Sequence, residues 1–397
     1  MRRTAVALTV IAVAVIGLPL ARADTAGAAA CNPSDQEAFL ITGRIHPCGT
    51  ALVDAAGHRV RLQSFELLNM YGGQGDVAPK CGHWSPIPIG LGWKVPSWGM
   101  NSVQILISWA NLEPTPPTRW PGGAIHHHWN TDYLAALDRA IDMFRRHGVA
   151  VVLSLGQSRW SQAFRNIERG DGTVQPCGLG MPSWLYPRGG STSAMVQAEL
   201  RFFQGTDGVQ RKFRYVWQML ARRYRNNPAV VAANMLFEAP DVIAHPYLGQ
   251  RVSPQALDLA RFYELTGRAI HAVNPYLLVL YADWQSLDAS PYFAISRKPL
   301  IWNAAYAYEF YAFGWSSGSQ ARLERYHLRA EAWGVPGYID EFDAFNYGRR
   351  SNPTLPDDPN WQRDTLALLA QTRSDRTGWS FNGLMDSALV RILRRGH

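Results

Sequence analysis

Short apolar runs, each long enough for one buried strand, recur along this chain and alternate with longer stretches whose apolar residues repeat every three to four positions. Residues 39–67 alternate like a hairpin feeding a strand: FLITGRI, then ALVDAAGHRVRLQSFEL, with a turn at Asp54 to Gly57. NSVQILISW, from Asn101 to Trp109, is a second buried run, and VAVVLSL, from Val149, is a third. Between them an amphipathic helix is expected over Tyr133 to His147, stopped at Gly148. A helix of several turns from about Ala194 to Arg225 leads into VVAANMLFEAP (230–240). Another, from about Pro254 to Val273, leads into YLLVLYADW, which ends near Asp283. PLIWNAAYAYEFY (299–311), VPGYIDEFDAF (335–345) and GWSFNGLMD (from Gly378) complete the series before a short closing helix. Residues 68–99, rich in Gly, Pro and Trp, and residues 156–191 read as long loops over one face.

Eight strands alternating with helices predict a single (β/α)8 TIM barrel with an N-terminal β-hairpin and long loops on the active face, because each crossover returns to a parallel neighbour. No internal repeat or low-complexity segment interrupts the pattern, and residues 31–397 are expected to form one catalytic domain. Ahead of it, Arg2 and Arg3 precede an apolar run from Ala5 to about Leu20, then small residues with A-x-A sites at Ala21 to Ala23 or Ala28 to Ala30. This is the pattern of an export signal followed by a small-residue linker, so a secreted or extracytoplasmic, monomeric protein is expected. No other stretch is apolar enough to span a bilayer, and no stable membrane insertion is expected once the signal is removed.

Composition narrows the picture. With 397 residues, 47% hydrophobic and 18% charged, the chain can bury a large core. The net charge of +8 is scattered rather than blocked, which argues against nucleic-acid binding. The four cysteines, Cys31, Cys48, Cys81 and Cys177, read as two disulfides in an exported protein, with neighbours in sequence favouring Cys31 with Cys48 and Cys81 with Cys177 among three possible pairings. No C-x-x-C occurs, and His126, His127 and His128 read as an exposed run rather than metal ligands.

The chemistry concentrates in two strand ends, where the runs at 230–240 and 335–345 reach Glu238 and Glu341. Carboxyl ends of barrel strands form the active face, and two carboxylates there are the minimum for glycoside hydrolysis, with no cofactor and no metal. Asp340 and Asp343 flank Glu341, and a one-residue slip would change which side chain meets the barrel mouth. Glu309 and Asp283 are reserve acids. No G-x-S-x-G, phosphate loop or dinucleotide fingerprint appears. Fifteen tryptophans suit a carbohydrate cleft, since indole stacks on the apolar face of a pyranose. Trp84, Trp93, Trp98, Trp120, Trp129, Trp160, Trp184, Trp284 and Trp315 fall in expected loops or strand ends, whereas Trp109, Trp217 and Trp302 can also be read as core.

RYRNNPAVVAANMLFEAP, PGYIDEF, VDAAGHRVRLQSFEL and SVQILISWANLEP together resemble the strand-four, strand-seven, entry-hairpin and strand-two signatures of the glycoside hydrolase family 5 cellulase type. The resemblance covers about residues 40–390 and is nearest to the endoglycoceramidase-like branch, although that branch's C-terminal β-sandwich has no room here. It implies Glu238 as general acid/base and Glu341 as nucleophile. It also puts Tyr311 at the position of a tyrosine that hydrogen-bonds the nucleophile, and Trp379 at a tryptophan flooring the cleavage subsite. The sequence departs from the pattern at Phe237 (asparagine in the family), Gln104 (arginine), Gly156 (histidine) and Glu309 (histidine). Candidate substrate contacts are therefore Tyr311, Trp379, Trp109, Trp160, Glu309, Asn234, Gln157 and Trp284, with Glu66 another polar residue open to a new role. The implied activity is retaining hydrolysis of a β-glucan-type polysaccharide or glycolipid glycan. The alternative is a barrel that binds carbohydrate without cleaving it.

Overall fold

Leu62–Leu67 is the first of eight parallel strands, followed by Ser102–Ile107, Ala150–Gly156, Val230–Phe237, Leu278–Asp283, Ala304–Phe310, Gly337–Asp343 and Gly378–Asn382. Every neighbouring pair is parallel and the eighth strand pairs with the first, so the sheet closes into a barrel. The computed structural model describes residues 34–71, 83–119, 122–157, 160–168, 174–177, 179–186, 190, 192–237, 257–283, 295–310, 317–343 and 378–382. All of them fall in the second of two compact units, Pro33–His397; the first, Met1–Asn32, lies outside the described residues.

The two-residue period of each strand divides its side chains between two cores. Leu62, Val152, Ala232, Leu278, Leu280, Ala305, Ala307 and Tyr338 fill the lower barrel interior, while Val103, Ile105, Val151, Leu153, Val279, Tyr306 and Ile339 face the helices. The helix Thr131–Arg146 begins where the Asn130 side chain accepts from the Tyr133 N–H and ends before Gly148 at φ +68°. Its buried stripe, including Tyr133, Leu137, Ile141 and Phe144, covers this outer face.

Along strand four, the register sets the four residues Asn234 to Phe237 against the three from Ser154 to Gly156 on strand three, a local bulge. Side chains from two helices meet the carbonyls there. The Trp217 indole N–H of helix Val209–Arg223 donates to Met235 O at 2.9 Å, and the Tyr263 hydroxyl of helix Leu259–His271 donates to Ala282 O at 2.7 Å and Leu236 O at 3.5 Å.

Several expected elements differ in detail. The helix expected over 194–225 is two helices, Thr192–Gln204 and Val209–Arg223, because Gly205 and Gly208 take φ +70° and +73° between them. The run FLITGRI is not a strand. The entry hairpin pairs His46–Cys48 with Ala51–Val53 and then His58–Val60, while Ser34–Ala38 adds a parallel edge. Its turn is held by the buried Asp54 carboxylate, which accepts from the backbone of Thr42, Ala56 and His58. Burial pushes that carboxyl up, but these bonds outweigh it and leave it below the usual range. The loop 68–99 carries a short helix, Leu91–Ser97, and 156–191 carries a paired hairpin, Arg165–Glu168 with Val174–Cys177. The helix expected from Pro254 and strand six begin later than expected, at Leu259 and Ala304, each just after a non-glycine residue at positive φ, Asp258 and Asn303. Among the described residues no helix is long and apolar enough to cross a membrane. Cys48 is disulfide-bonded, but Cys31 and Cys81 lie outside the described residues, so the expected pairing does too.

Candidate active site

Which acid of Asp340–Glu341 enters the barrel is decided by the register between strands six and seven. Ala307 pairs with Tyr338 and Tyr308 with Ile339, but Glu309 pairs with Glu341. Asp340 is the extra residue of a bulge. Tyr338 already points inward, where its hydroxyl meets Ser64 Oγ at 3.2 Å and Gln104 Oε1 at 3.4 Å, and Ile339 packs outward. Asp340 points inward again, its Oδ2 accepting from Asn234 Nδ2 at 3.1 Å. Glu341 then shares the inward side of Glu309, the next residue in the Ala305, Ala307 series, and Phe342 returns to the outer core. Two consecutive carboxyl groups thus enter the barrel, and no slip of register is needed to choose between them.

Around them lies a polar layer that the apolar lower interior does not share. Glu66, Glu309, Asp340 and Glu341 are all buried, as are Ser64, Ser102, Gln104, Ser154 and Asn234. Gln104 Nε2 donates to Glu66 Oε1 at 3.2 Å and to the Asp340 carbonyl at 2.8 Å. The residue standing at the family's arginine position therefore ties strand two to strands one and seven. Burial pushes the Asp340 carboxyl up to about 8, with the Glu341 charge adding to it and the Asn234 hydrogen bond opposing, so Asp340 keeps its proton at neutral pH.

Above this layer sits an apolar cluster of Tyr71, Leu106, Leu179 and Phe237. Gly156 makes room for it: a Cβ there would lie 2.8 Å from Tyr71 Cε2. The Tyr71 ring thus fills the volume that a larger strand-three side chain at Gly156 would need. Gly180 closes down on the same strand end at φ +111°, and its Cβ would lie 2.6 Å from Gly156 O and 2.7 Å from Gln157 Cα. Because both obstacles are backbone, Gly180→Ala is expected to cost about 2–5 kcal/mol, read as a lowered guanidinium midpoint.

Several expected substrate contacts are committed elsewhere. Trp109 is buried, its indole N–H donating to Glu113 Oε2 at 3.0 Å, and Trp160 is buried with its N–H on the Tyr186 hydroxyl at 2.7 Å. Neither ring has a face left for a sugar, so both belong to packing. Asn234 holds Asp340, and Gln157 is enclosed beneath Gly180. The reserve acid Asp283 points outward and accepts from the Tyr306 hydroxyl at 2.7 Å and the Ile295 N–H at 3.2 Å. Trp302, read as core, is 59% exposed, and Trp93 is 58% exposed. His127 leans on Glu113 at 2.7 Å and stacks on Trp129, so the histidine run is tied to the fold. Glu238, Tyr311 and Trp284 lie outside the described residues, and Trp379 is described in its backbone, opposite Ile339 and Gln63. Tyr71, Leu106 and Leu179 were not legible as site residues, since nothing local marks them as meeting over Gly156.

The chain resembles the crystal structure of an endogalactoceramidase, with a TM-score of 0.64 and 22% identity over 86% of this chain and 74% of the other. It also resembles endo-glycoceramidase II from Rhodococcus sp. in an iminocyclitol complex, with a TM-score of 0.62 and 19% identity over 86% and 80%. A tri-modular endo-beta-1,4-glucanase from Bacillus licheniformis shares the fold at a TM-score of 0.54 and 13% identity, over 85% and 59%. No curated protein sequence matches the chain. The family model described as cellulase (glycosyl hydrolase family 5) matches residues 53–384, a span running from the entry hairpin through strand eight. The chain therefore belongs to glycosyl hydrolase family 5, whose members are glycoside hydrolases acting on O-glycosyl bonds.

Proposed function

We propose that this is an exported, retaining β-glycoside hydrolase in which Glu341 is the nucleophile and Glu238 the general acid/base. The observation that carries the reading is the strand-seven bulge, which presents a buried Glu341 on the inward side beside Glu309. In the first step Glu238 would protonate the glycosidic oxygen as Glu341 attacks the anomeric carbon, giving a glycosyl ester and the free aglycone. In the second, Glu238 would take a proton from water as the water's oxygen displaces the ester, returning both acids to their starting states. The substrate is a β-linked glycan, and the solved neighbours favour a glycolipid over a polysaccharide, since several are endoglycoceramidases and one holds ganglioside GM3. The N-terminal signal pattern and the disulfide-bonded Cys48 support export.

One observation favours the second reading, a barrel that binds sugar without cleaving it: the apolar cluster of Tyr71, Leu106, Leu179 and Phe237 over the polar layer. Reducing-end release from β-glucans, mannans and glycolipids, comparing wild type with Glu341→Gln and Glu238→Gln, separates the two. Cleavage lost in both variants supports the hydrolase. Binding without cleavage, equal in all three proteins, supports the binding barrel.

A further inference from the structure

We propose that Asp340 is a positioning residue for this reaction, tying strand seven to strand four beneath Glu341 through its hydrogen bond to Asn234. The inference rests on the glycosidase reading above. The bulge supplies the extra residue, so that Asp340 is fully buried inside the barrel while its neighbour Glu341 remains on the inward side. Its Oδ2 accepts from Asn234 Nδ2 at 3.1 Å, and its backbone carbonyl accepts from Gln104 Nε2 at 2.8 Å. One residue thus joins strands two, four and seven at a single level, on the two strands that lead to Glu238 and Glu341.

The tie works as a neutral acid. Asp340 Oδ1 is buried with no hydrogen-bond partner, and so are Asn234 Oδ1 and Ser154 Oγ; Ser154 is the strand-three register partner of Asn234. The ionisable groups that face this region are Glu341 on its own strand, Glu309 on strand six and Glu66 on strand one, all acids, with Tyr338 below and Tyr263 behind. Among the described residues no lysine or arginine pairs with Asp340. A second carboxylate there would be buried without a counter-charge beside Glu341, which is costly. A proton on Asp340 Oδ1 removes that cost and leaves Oδ2 to accept from Asn234 Nδ2. Glu341 is then free to carry the negative charge that attack on an anomeric carbon requires.

The test uses the full chain as wild type, Asp340→Asn and Asp340→Leu. Because folding raises the Asp340 pKa, its contribution to stability is full below the unfolded value of about 4 and is lost as pH rises through the folded value. The wild-type melting temperature should therefore fall by several degrees relative to Asp340→Asn between about pH 4 and pH 8. With any substrate the panel identifies, Asp340→Leu should lose at least about tenfold in kcat with KM within about twofold, and Asp340→Asn should recover most of that loss at pH 6. The basic limb of the wild-type pH profile should move upward in Asp340→Asn. Parallel melting curves for wild type and Asp340→Asn across the range would overturn the neutral tie, whether or not a substrate is found. Equal kcat in wild type and Asp340→Leu would overturn positioning. A wild type that cleaves nothing removes the glycosidase reading and the positioning role with it, while the melting arm still reports the proton on Asp340.

Discussion

Glu341→Gln is expected to lower turnover by at least about 10³-fold, since loss of a covalent nucleophile removes the pathway rather than one contact along it. Glutamine keeps the shape of the side chain and can still accept a hydrogen bond, but its amide oxygen does not form the glycosyl ester on which a retaining mechanism depends. Folding should not suffer. Glu341 is buried beside Asp340 and in register with Glu309, so the substitution takes one charge out of an acid-rich layer, and the melting temperature should be no lower than wild type. Glycan affinity, measured by calorimetry with an uncleaved analogue, should stay close to wild type. The nucleophile assignment fails if the variant keeps more than about a tenth of wild-type turnover, and attention would then pass to Glu309, its register partner.

Trp217→Ala is the substitution expected to cost most in stability. The ring is wholly buried between helix Val209–Arg223 and strand four, and deleting it leaves a cavity worth about 3–5 kcal/mol. It also removes the indole N–H from the Met235 carbonyl, which lies in the strand-four bulge just before Phe237 and Glu238. Trp217→Phe separates the two effects: it fills most of the space but leaves the carbonyl without that donor, at about 1–3 kcal/mol. Denaturant midpoints should therefore fall in the order wild type, Trp217→Phe, Trp217→Ala. If phenylalanine proves neutral, the bulge does not depend on the indole, and the reason for a tryptophan at this position must be volume alone.

The architecture was legible because each barrel strand is a local run. VVAANMLF and NSVQILIS are apolar at nearly every position, as strands covered on both faces must be, and the Thr131–Arg146 helix shows its period and both of its stops within the segment itself. Local rules also gave the wrong answer where two of them competed. The apolar period runs straight through 194–225, yet Gly205 and Gly208 break it because only a positive φ lets the chain turn between the two helices. FLITGRI alternates well enough for a strand, but the sheet edge it would need is taken by Ser34–Ala38.

Trp109 and Trp160 show why the site was harder to read. Aromatic composition marks a sugar cleft and a packed core alike, and only the partners of each ring, here Glu113 and Tyr186, tell the two apart. The same holds for Asn234, a polar residue in an apolar strand that reads as a substrate contact until its bond to Asp340, more than a hundred residues away, is seen.

By itself the sequence determined that this is an eight-fold alternation of strands and helices and that acids close the fourth and seventh of those strands. Those facts depend on residue order and on periodicities of two and 3.6, which are local. The tertiary structure alone decided that Asp340 and Glu341 both face inward, that Gln104 spans three strands, and that Tyr71 fills the space left by Gly156. Each of these depends on the register between strands or on volume shared by segments far apart in the chain. Neither is encoded in any one segment, because both are settled only when the barrel closes and its interior must be filled.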